Sequence, residues 1–330
     1  MNNIDTLCFS GGGTKGFSFV TAIKILIDNK YIDLNNINKF VGSSIGSINA
    51  FLFSINYTPD ELIIFLSNID LSNIGNTFNL ELFIEKYGFS DADEFIKIVE
   101  ILFYNKMKMI NITFKDLHII TKNKLLIVGT NFTKGREEVF SVDTTPNMNV
   151  LDAIRISISI PILFTPIKYN NCYYIDGCVL GNLPFHLCDP NTTLCIFLKS
   201  KCFKLNSTFD LINGVVSLLI NNTLKFIGNY KKLIIYNDEC DTQICCDKNS
   251  LKKLFNIGYK NGKRFLIKEY KKQIKYLTDN IIENVLDDII RNVLTNNSIE
   301  NVLTNNSIEN VLTNNSIENV LTNNSTNIKI

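Results

Sequence analysis

Apolar positions near the start of the chain fall into short uninterrupted runs and longer runs of helical period, separated by glycine-rich breaks. Thr6-Leu7-Cys8-Phe9 has the length and character of a short strand. Beyond the turn Ser10 to Gly16, the stretch Phe17 to Asn29 places Phe17, Val20, Ile23 and Ile27 at near-helical spacing. Lys39-Phe40-Val41 is a second short strand, Gly42 to Gly46 a second tight turn, and Ser47 to Ile55 begins a second helix. Two strand–turn–helix units so close together predict an α/β domain with a largely parallel sheet.

The pattern then becomes mostly helical from Pro59 to Lys108, with Thr58 as N-cap, Pro59 in the first helical position and Glu61 in the first turn. Leu125 to Thr130 reads as a buried strand and Glu138 to Val142 as another. Val150 to Ser159 is expected to be a helix stopped before Pro161. Tyr173-Tyr174-Ile175 is a strand ending at Asp176-Gly177, and Leu194 to Leu198 is one more. Further helices are expected over residues 211–227 and 257–277. From Asn292 a nine-residue unit recurs, with Val293, Val302, Val311 and Val320 in equivalent places. Nine residues make two and a half helical turns, so successive Val-Leu pairs would point to opposite faces. Residues 291–330 are read as a low-complexity tail, disordered or weakly helical.

Composition narrows the function classes. The 330 residues are 45% apolar and carry a net charge of +1, which supplies a core but no field suited to nucleic acid. Nine cysteines lack C-x-x-C spacing and read as free thiols of a reducing compartment. With two histidines, His118 and His186, no metal centre is expected and no cofactor is implied. No signal-peptide pattern opens the chain, and no apolar run reaches the roughly 18 residues needed to span a bilayer. An intracellular, cytoplasmic protein is expected, able to sit peripherally on membranes. Oligomeric state is not legible. Residues 248–275 hold ten Lys/Arg against Glu269, interleaved with Leu251, Leu254, Phe255, Ile257 and Phe265. That spacing fits a basic amphipathic surface for anionic lipid or a solvated helix face.

Three segments carry chemistry. Gly42-Ser43-Ser44-Ile45-Gly46 is a G-x-S-x-G turn between strand and helix, which lifts a serine hydroxyl out of the sheet edge beside a helix N-terminus. Ser10-Gly11-Gly12-Gly13-Thr14-Lys15-Gly16 offers backbone N–H groups to an anion, whether a phosphate or a tetrahedral oxyanion. The Walker Lys-Ser/Thr is missing, since Phe17 follows Gly16. The dinucleotide spacing at Gly11, Gly13 and Gly16 is present, with Asp33 as a poor ribose acid. Asp176-Gly177, followed by Asn182-Leu183-Pro184, puts a carboxylate at the end of a strand, where sites form in α/β sheets. Each motif alone is also what an ordinary turn looks like.

As a set, Gly11-Gly12-Gly13-x-Lys15-Gly16, Gly42-x-Ser44-x-Gly46 and Asp176-Gly177 resemble the patatin-like phospholipases in order and spacing, the aspartate lying 132 positions after the serine. Leu126 to Thr133 and Ala153 to Pro161, with Phe164-Thr165-Pro166, are similar to the family's intervening segments. The resemblance covers about residues 4–190. It implies a three-layer α/β/α fold with a mainly parallel central sheet and a catalytic domain over 4–190; residues 191–290 are expected to be a C-terminal extension packing on that core, partly basic and amphipathic. It further implies a Ser44–Asp176 dyad acting without histidine on phospholipid or other glycerolipid esters. Amides of Gly11, Gly12 and Gly13 would hold the oxyanion, and water would cleave the acyl-enzyme. Departures are Ser10 where the family often has Asp, Cys178 where it has Gly or Ala, and Lys15 for the commoner Arg. Ser44, Asp176 and His186 also satisfy the chain order of a triad. A nucleotide-binding protein and a catalytically inactive lipid- or protein-binding scaffold stand as alternatives.

Overall fold

The computed structural model describes residues 3–69, 79–199, 227–237 and 247–296, with positions 214 and 218. The helix expected over 211–227 and the repeats beyond 296 lie almost wholly outside the described residues, as do Cys202, Cys240, Cys245 and Cys246. The chain divides into two units, Met1–Lys263 and Arg264–Ile330. In chain order the elements are β1 (Thr6–Phe9), α1 (Ser18–Asp28), β2 (Lys39–Ser43), α2 (Ile45–Ser54), α3 (Pro59–Asn68), α4 (Leu80–Lys86), β3 (Gly88–Ser90), α5 (Asp93–Met107) and α6 (Phe114–Thr121). They continue as β4 (Lys124–Asn131), β5 (Arg136–Ser141), α7 (Val150–Ser157), β6 (Ile162–Phe164), β7 (Ile167–Tyr169), β8 (Cys172–Asp176), the single turn α8 (Cys178–Gly181), β9 (Thr193–Lys199), β10 (Lys231–Tyr236) and α9 (Lys248–Asn296).

Eight strands form one sheet in the order β10-β9-β1-β2-β4-β8-β7, with β5 also paired to β4. The pairs from β10 to β4 are parallel, and those of β4 with β5 and β8 and of β7 with β8 are antiparallel. The sheet continues past residue 190, because β9 pairs with β1 and β10 with β9. Both sheet faces are covered, which is why β1 is apolar at successive positions. Phe9 stacks on Phe53 of α2 and tilts against Phe19 of α1, with ring centroids 5.8 Å apart in each pair. On the opposite face Cys8, Val41, Cys195 and Phe197 pack with Cys178, Leu183 and Ile227. Every described cysteine is a free thiol.

Local signals explain the element ends. Thr58 and Glu61 form a reciprocal capping box at α3, the Glu61 N–H donating to Thr58 Oγ1 and the Thr58 N–H to Glu61 Oε2. α7 stops at Ser157, two residues sooner than its pattern allowed, with the backbone turning ahead of Pro161. In the first unit α9 lies along α1: Thr21 Oγ1 donates to the Phe255 carbonyl at 2.7 Å, and Gly258 and Gly262 pack where a side chain would strike Ser18 or Ile25. Leu251, Leu254 and Ile257 are buried there, whereas Lys252, Lys253 and Lys260 are exposed. Up to Lys263, then, the apolar stripe of this basic helix packs inside the protein. In the second unit the described residues continue α9 to Asn296. Among the described residues no helix is long and apolar enough to cross a membrane.

Candidate active site

Ser44 stands between the end of β2 and the start of α2, at φ 53° and ψ −131°. A side chain rarely adopts such a backbone, at a cost of about 1–3 kcal/mol that the surroundings must enforce. Close contacts enforce it here. A β-carbon on Gly42 would run into the Gly46 carbonyl, and one on Gly46 would stand 2.5 Å from the Phe9 carbonyl oxygen. The glycines of the motif thus let the turn close on itself and let α2 approach β1. The Ser44 N–H donates to Ser157 Oγ at 2.9 Å, and Ser157 donates onward to the Val128 carbonyl at 2.6 Å. Ser157 was not singled out from the sequence; a serine within an apolar helical pattern gives no sign of such a strut.

Asp176 reaches Ser44 through the architecture of β4. β2 lies along one edge of β4 as far as Ser43 opposite Val128. One rung further on, β8 pairs antiparallel with β4, placing Asp176 opposite Gly129. Because β5 occupies the other edge at these positions, β2 and β8 share one edge and meet end to end. Ser44 Oγ donates to Asp176 Oδ2 at 2.7 Å, and the Cys178 N–H donates to Oδ1 at 2.7 Å. The carboxyl group is fully buried. Loss of water pushes its pKa up to about 6, opposed by the bonds from the Cys178 N–H and the Ser44 hydroxyl. A serine hydroxyl bonded to a carboxylate of that basicity can pass its proton straight to it at neutral pH. Gly177 allows the meeting, since a side chain there would strike the Val128 carbonyl.

The glycine loop faces the same spot. The Gly11 N–H is committed to the Asn182 carbonyl at 3.1 Å, so of the three expected oxyanion amides only those of Gly12 and Gly13 remain as candidates. Gly12 (φ 151°) and Gly13 (φ 61°) hold backbone shapes that favour glycine, and a side chain at 12 would hit Leu198. Lys15 is half-buried on the short 3-10 turn Gly13–Phe17 that follows, and Gly16 is pressed by Ile45. The departures from the family pattern also find their places. Ser10 ties β1 to β9, accepting the Leu198 N–H and donating to the Gly11 carbonyl. Cys178 serves Asp176 through its backbone amide, and its buried thiol is kept neutral by desolvation and by the neighbouring Asp176 carboxylate.

Other candidates lie elsewhere. His186 Nε2 pairs with Glu137 Oε1 at 2.8 Å, which raises the imidazole's pKa, and both Asp176 oxygens are occupied by other partners. The Ser44–Asp176 bond is direct, so no imidazole stands between them. His118 bonds the Asn123 carbonyl at the end of α6. Asp33, the weak ribose acid of the dinucleotide reading, caps the turn before β2 by accepting the Asn35 N–H. Among the described residues no group of His, Cys, Asp or Glu is arranged to hold a metal ion.

Two features complete the site. Gly13 and Ser44, with Ile45, Ile48, Phe95 and Phe164, line a narrow apolar cavity of about 30 Å³. A second cavity of similar size, bounded by α1, α2, α3 and α5, shares Ile45, Ile48 and Phe95 with it. Asn182 is 1% exposed, and neither its Oδ1 nor its Nδ2 has a hydrogen-bond partner. Leaving such a group unpaired costs about 1–3 kcal/mol, so it calls for a reason.

Comparison with known proteins agrees with the architecture. The patatin-like phospholipase family model matches residues 7–189. "Probable lipid hydrolase 463L" of Invertebrate iridescent virus 6 is 32% identical over 276 residues, covering 80% of this chain and 89% of that protein. Uncharacterized protein R571 of Acanthamoeba polyphaga mimivirus is 31% identical over 288 residues, covering 81% and 95%. Among solved structures, VipD from Legionella pneumophila superposes with a TM-score of 0.63 at 16% identity, over 81% of this chain and 67% of that one, a likeness of fold.

Proposed function

The chain belongs to the patatin-like phospholipase family, and from that premise we propose that it is a serine acyl hydrolase of glycerolipid esters, with Ser44 as nucleophile and Asp176 as general base. The single observation that carries this reading is the 2.7 Å bond from Ser44 Oγ to a buried carboxylate whose pKa is raised to about 6. As Oγ attacks the acyl carbon, its proton passes to Asp176 Oδ2 and the carbonyl π pair moves onto oxygen. The Gly12 and Gly13 amides, together with the N-terminal end of α2, meet that negative charge. Collapse breaks the ester C–O bond, and the departing alkoxide takes the proton from Asp176. Water then repeats the sequence on the acyl-enzyme: Asp176 removes its proton, the acid departs, and Ser44 is restored. The apolar cavity beside Ser44 suits the first carbons of an acyl chain.

The test uses full-length protein as wild type, Ser44→Ala and Asp176→Asn. Fatty-acid release is followed from phosphatidylcholine and phosphatidylglycerol vesicles, triacylglycerol emulsion and a short p-nitrophenyl ester. The reading expects release by wild type and a loss of at least 10³-fold in both variants, in line with losses on removing a nucleophile or its base. Wild type that is folded yet silent on every ester would sink it. The pattern across the four substrates would identify the lipid class and show whether a bilayer is needed.

A further inference from the structure

We propose that Asn182 is a catalytic residue, its side-chain amide donating to the oxyanion that forms when Ser44 attacks. This rests on the Ser44–Asp176 reading and extends it to a group outside the serine turn, the glycine loop and the aspartate.

Asn182 follows the single turn α8 and lies at the meeting point of all three motifs. Its backbone carbonyl accepts the Gly11 N–H at 3.1 Å and so anchors the glycine loop. Its side chain fills the space that Gly11 leaves empty. The point where a Gly11 β-carbon would stand is 2.8 Å from Asn182 Oδ1, 3.0 Å from Ser44 Cβ and 3.4 Å from Cys178 Cβ. The Asn182 amide, Ser44 and the aspartate turn thus all flank the one space beside Gly11. A second observation points to a missing ligand: this buried amide has no hydrogen-bond partner at either end. Buried amides in folded proteins are nearly always paired, and an unpaired one calls for an explanation, a catalytic role being one. Because neither end is bonded, a half-turn of the amide breaks nothing, and Nδ2 can be presented to whichever oxygen arrives.

The reacting oxygen is the partner whose charge grows as the Oγ–C bond forms. The Gly11 N–H is already committed, so the loop supplies the Gly12 and Gly13 amides, and Nδ2 supplies a further donor from the side of Asn182. A donor aimed at developing charge in a dry site acts on the transition state more than on the bound ester. Gly11 acquires a specific task in this arrangement: any side chain there would occupy the position of the Asn182 amide.

The experiment compares wild type with Asn182→Leu, which keeps the branching at Cγ and removes both donor and acceptor, and with Asn182→Asp. Three quantities are read: melting temperature, kcat and KM on the preferred ester, and the rate at which a long-chain fluorophosphonate labels Ser44, measured by intact mass. Loss of one oxyanion donor lowers kcat by about 10²–10³-fold with KM little changed. The labelling rate should fall as well, because the phosphoryl oxygen occupies the oxyanion position. Asn182→Leu should melt at or above the wild-type temperature, since an unpaired amide has been replaced by an apolar group. A merely structural Asn182 would give the reverse: a lowered melting temperature with kcat and labelling preserved. That outcome overturns this proposal and leaves the hydrolase reading standing. Wild type that neither hydrolyses esters nor labels at Ser44 overturns both.

Discussion

Replacing Asp176 by Asn should abolish hydrolysis and yet make the protein more stable at neutral pH. Burial raises the carboxyl pKa from its usual 3.8 to about 6, so the folded state keeps a proton that the unfolded chain has already released. The stability linked to that proton is fully present below about pH 3.8 and is lost as pH rises through about 6. A difference of roughly two pH units corresponds to about 3 kcal/mol. Above pH 7 the wild type holds an anion in a dry site, and the Asn variant does not. The amide can keep the local contacts, its Oδ1 accepting the Cys178 N–H and its Nδ2 donating to Ser44 Oγ. Melting curves of full-length wild type and Asp176→Asn between pH 4 and 8 give the result, because the remaining titrating groups cancel in the difference. The variant should lead by about 3 kcal/mol at pH 7.5, or roughly 6–12 °C for a unit of this size. The lead should shrink towards zero at pH 4. A pH-independent difference, or a wild type more stable than the variant at pH 7.5, would refute the argument that desolvation sets the basicity of Asp176.

Hydrolysis should follow the same titration from the kinetic side: kcat/KM rises about tenfold per pH unit below about 6 and is level above it, and the profile is the same in His186→Ala, since that ring is paired with Glu137. A base assignment to His186 would instead show as loss of the profile in that variant. Ser44→Gly should be more stable than Ser44→Ala by about 1–3 kcal/mol in denaturant melts, because only glycine relaxes the φ of 53°; equal stabilities would mean the turn is unstrained. Phe95→Ala should merge the two small apolar cavities and raise kcat/KM for sixteen-carbon over four-carbon p-nitrophenyl esters several-fold. An unchanged ratio would place the acyl chain elsewhere.

The parts of this molecule that sequence made visible are those whose physics is local. β1, β2, β4, β8 and β9 announce themselves as apolar runs because both sheet faces are covered. The turns at Gly42–Gly46 and Gly11–Gly16 are visible because close backbone approach excludes side chains. What stayed hidden depends on distant partners. β3 and β6 are three residues each and exist by pairing with one another across some seventy positions. β10, with its lysines, becomes a strand because the edge of β9 receives it. Helix α6 falls in the stretch between Lys108 and Leu125 to which the pattern assigned no element, and it is held by the burial of Phe114 and Leu117. Within the site, the serine and aspartate could be named from motif and spacing, but the commitment of the Gly11 amide and the solitary burial of the Asn182 side chain exist only in three dimensions. Length hid α9 in a different way: its pattern suggested a helix over 257–277, and the helix runs from Lys248 to Asn296.

The shared edge of β4 has a consequence for how such a protein can change over time. Ladder rungs come in whole residues, so the separation of the two reacting groups is a stepped quantity; a slip of β8 by one residue would turn Asp176 to the opposite face of the sheet. Between the end of α2 and the start of β4 the chain makes a long excursion through α3 to α6, and nothing in the ladder restricts how far it wanders. Insertions, deletions and new helices can accumulate there, remodelling the walls that touch an acyl chain, while hydroxyl and carboxylate keep their distance. Selectivity is free to drift in such a design, and the reaction is not.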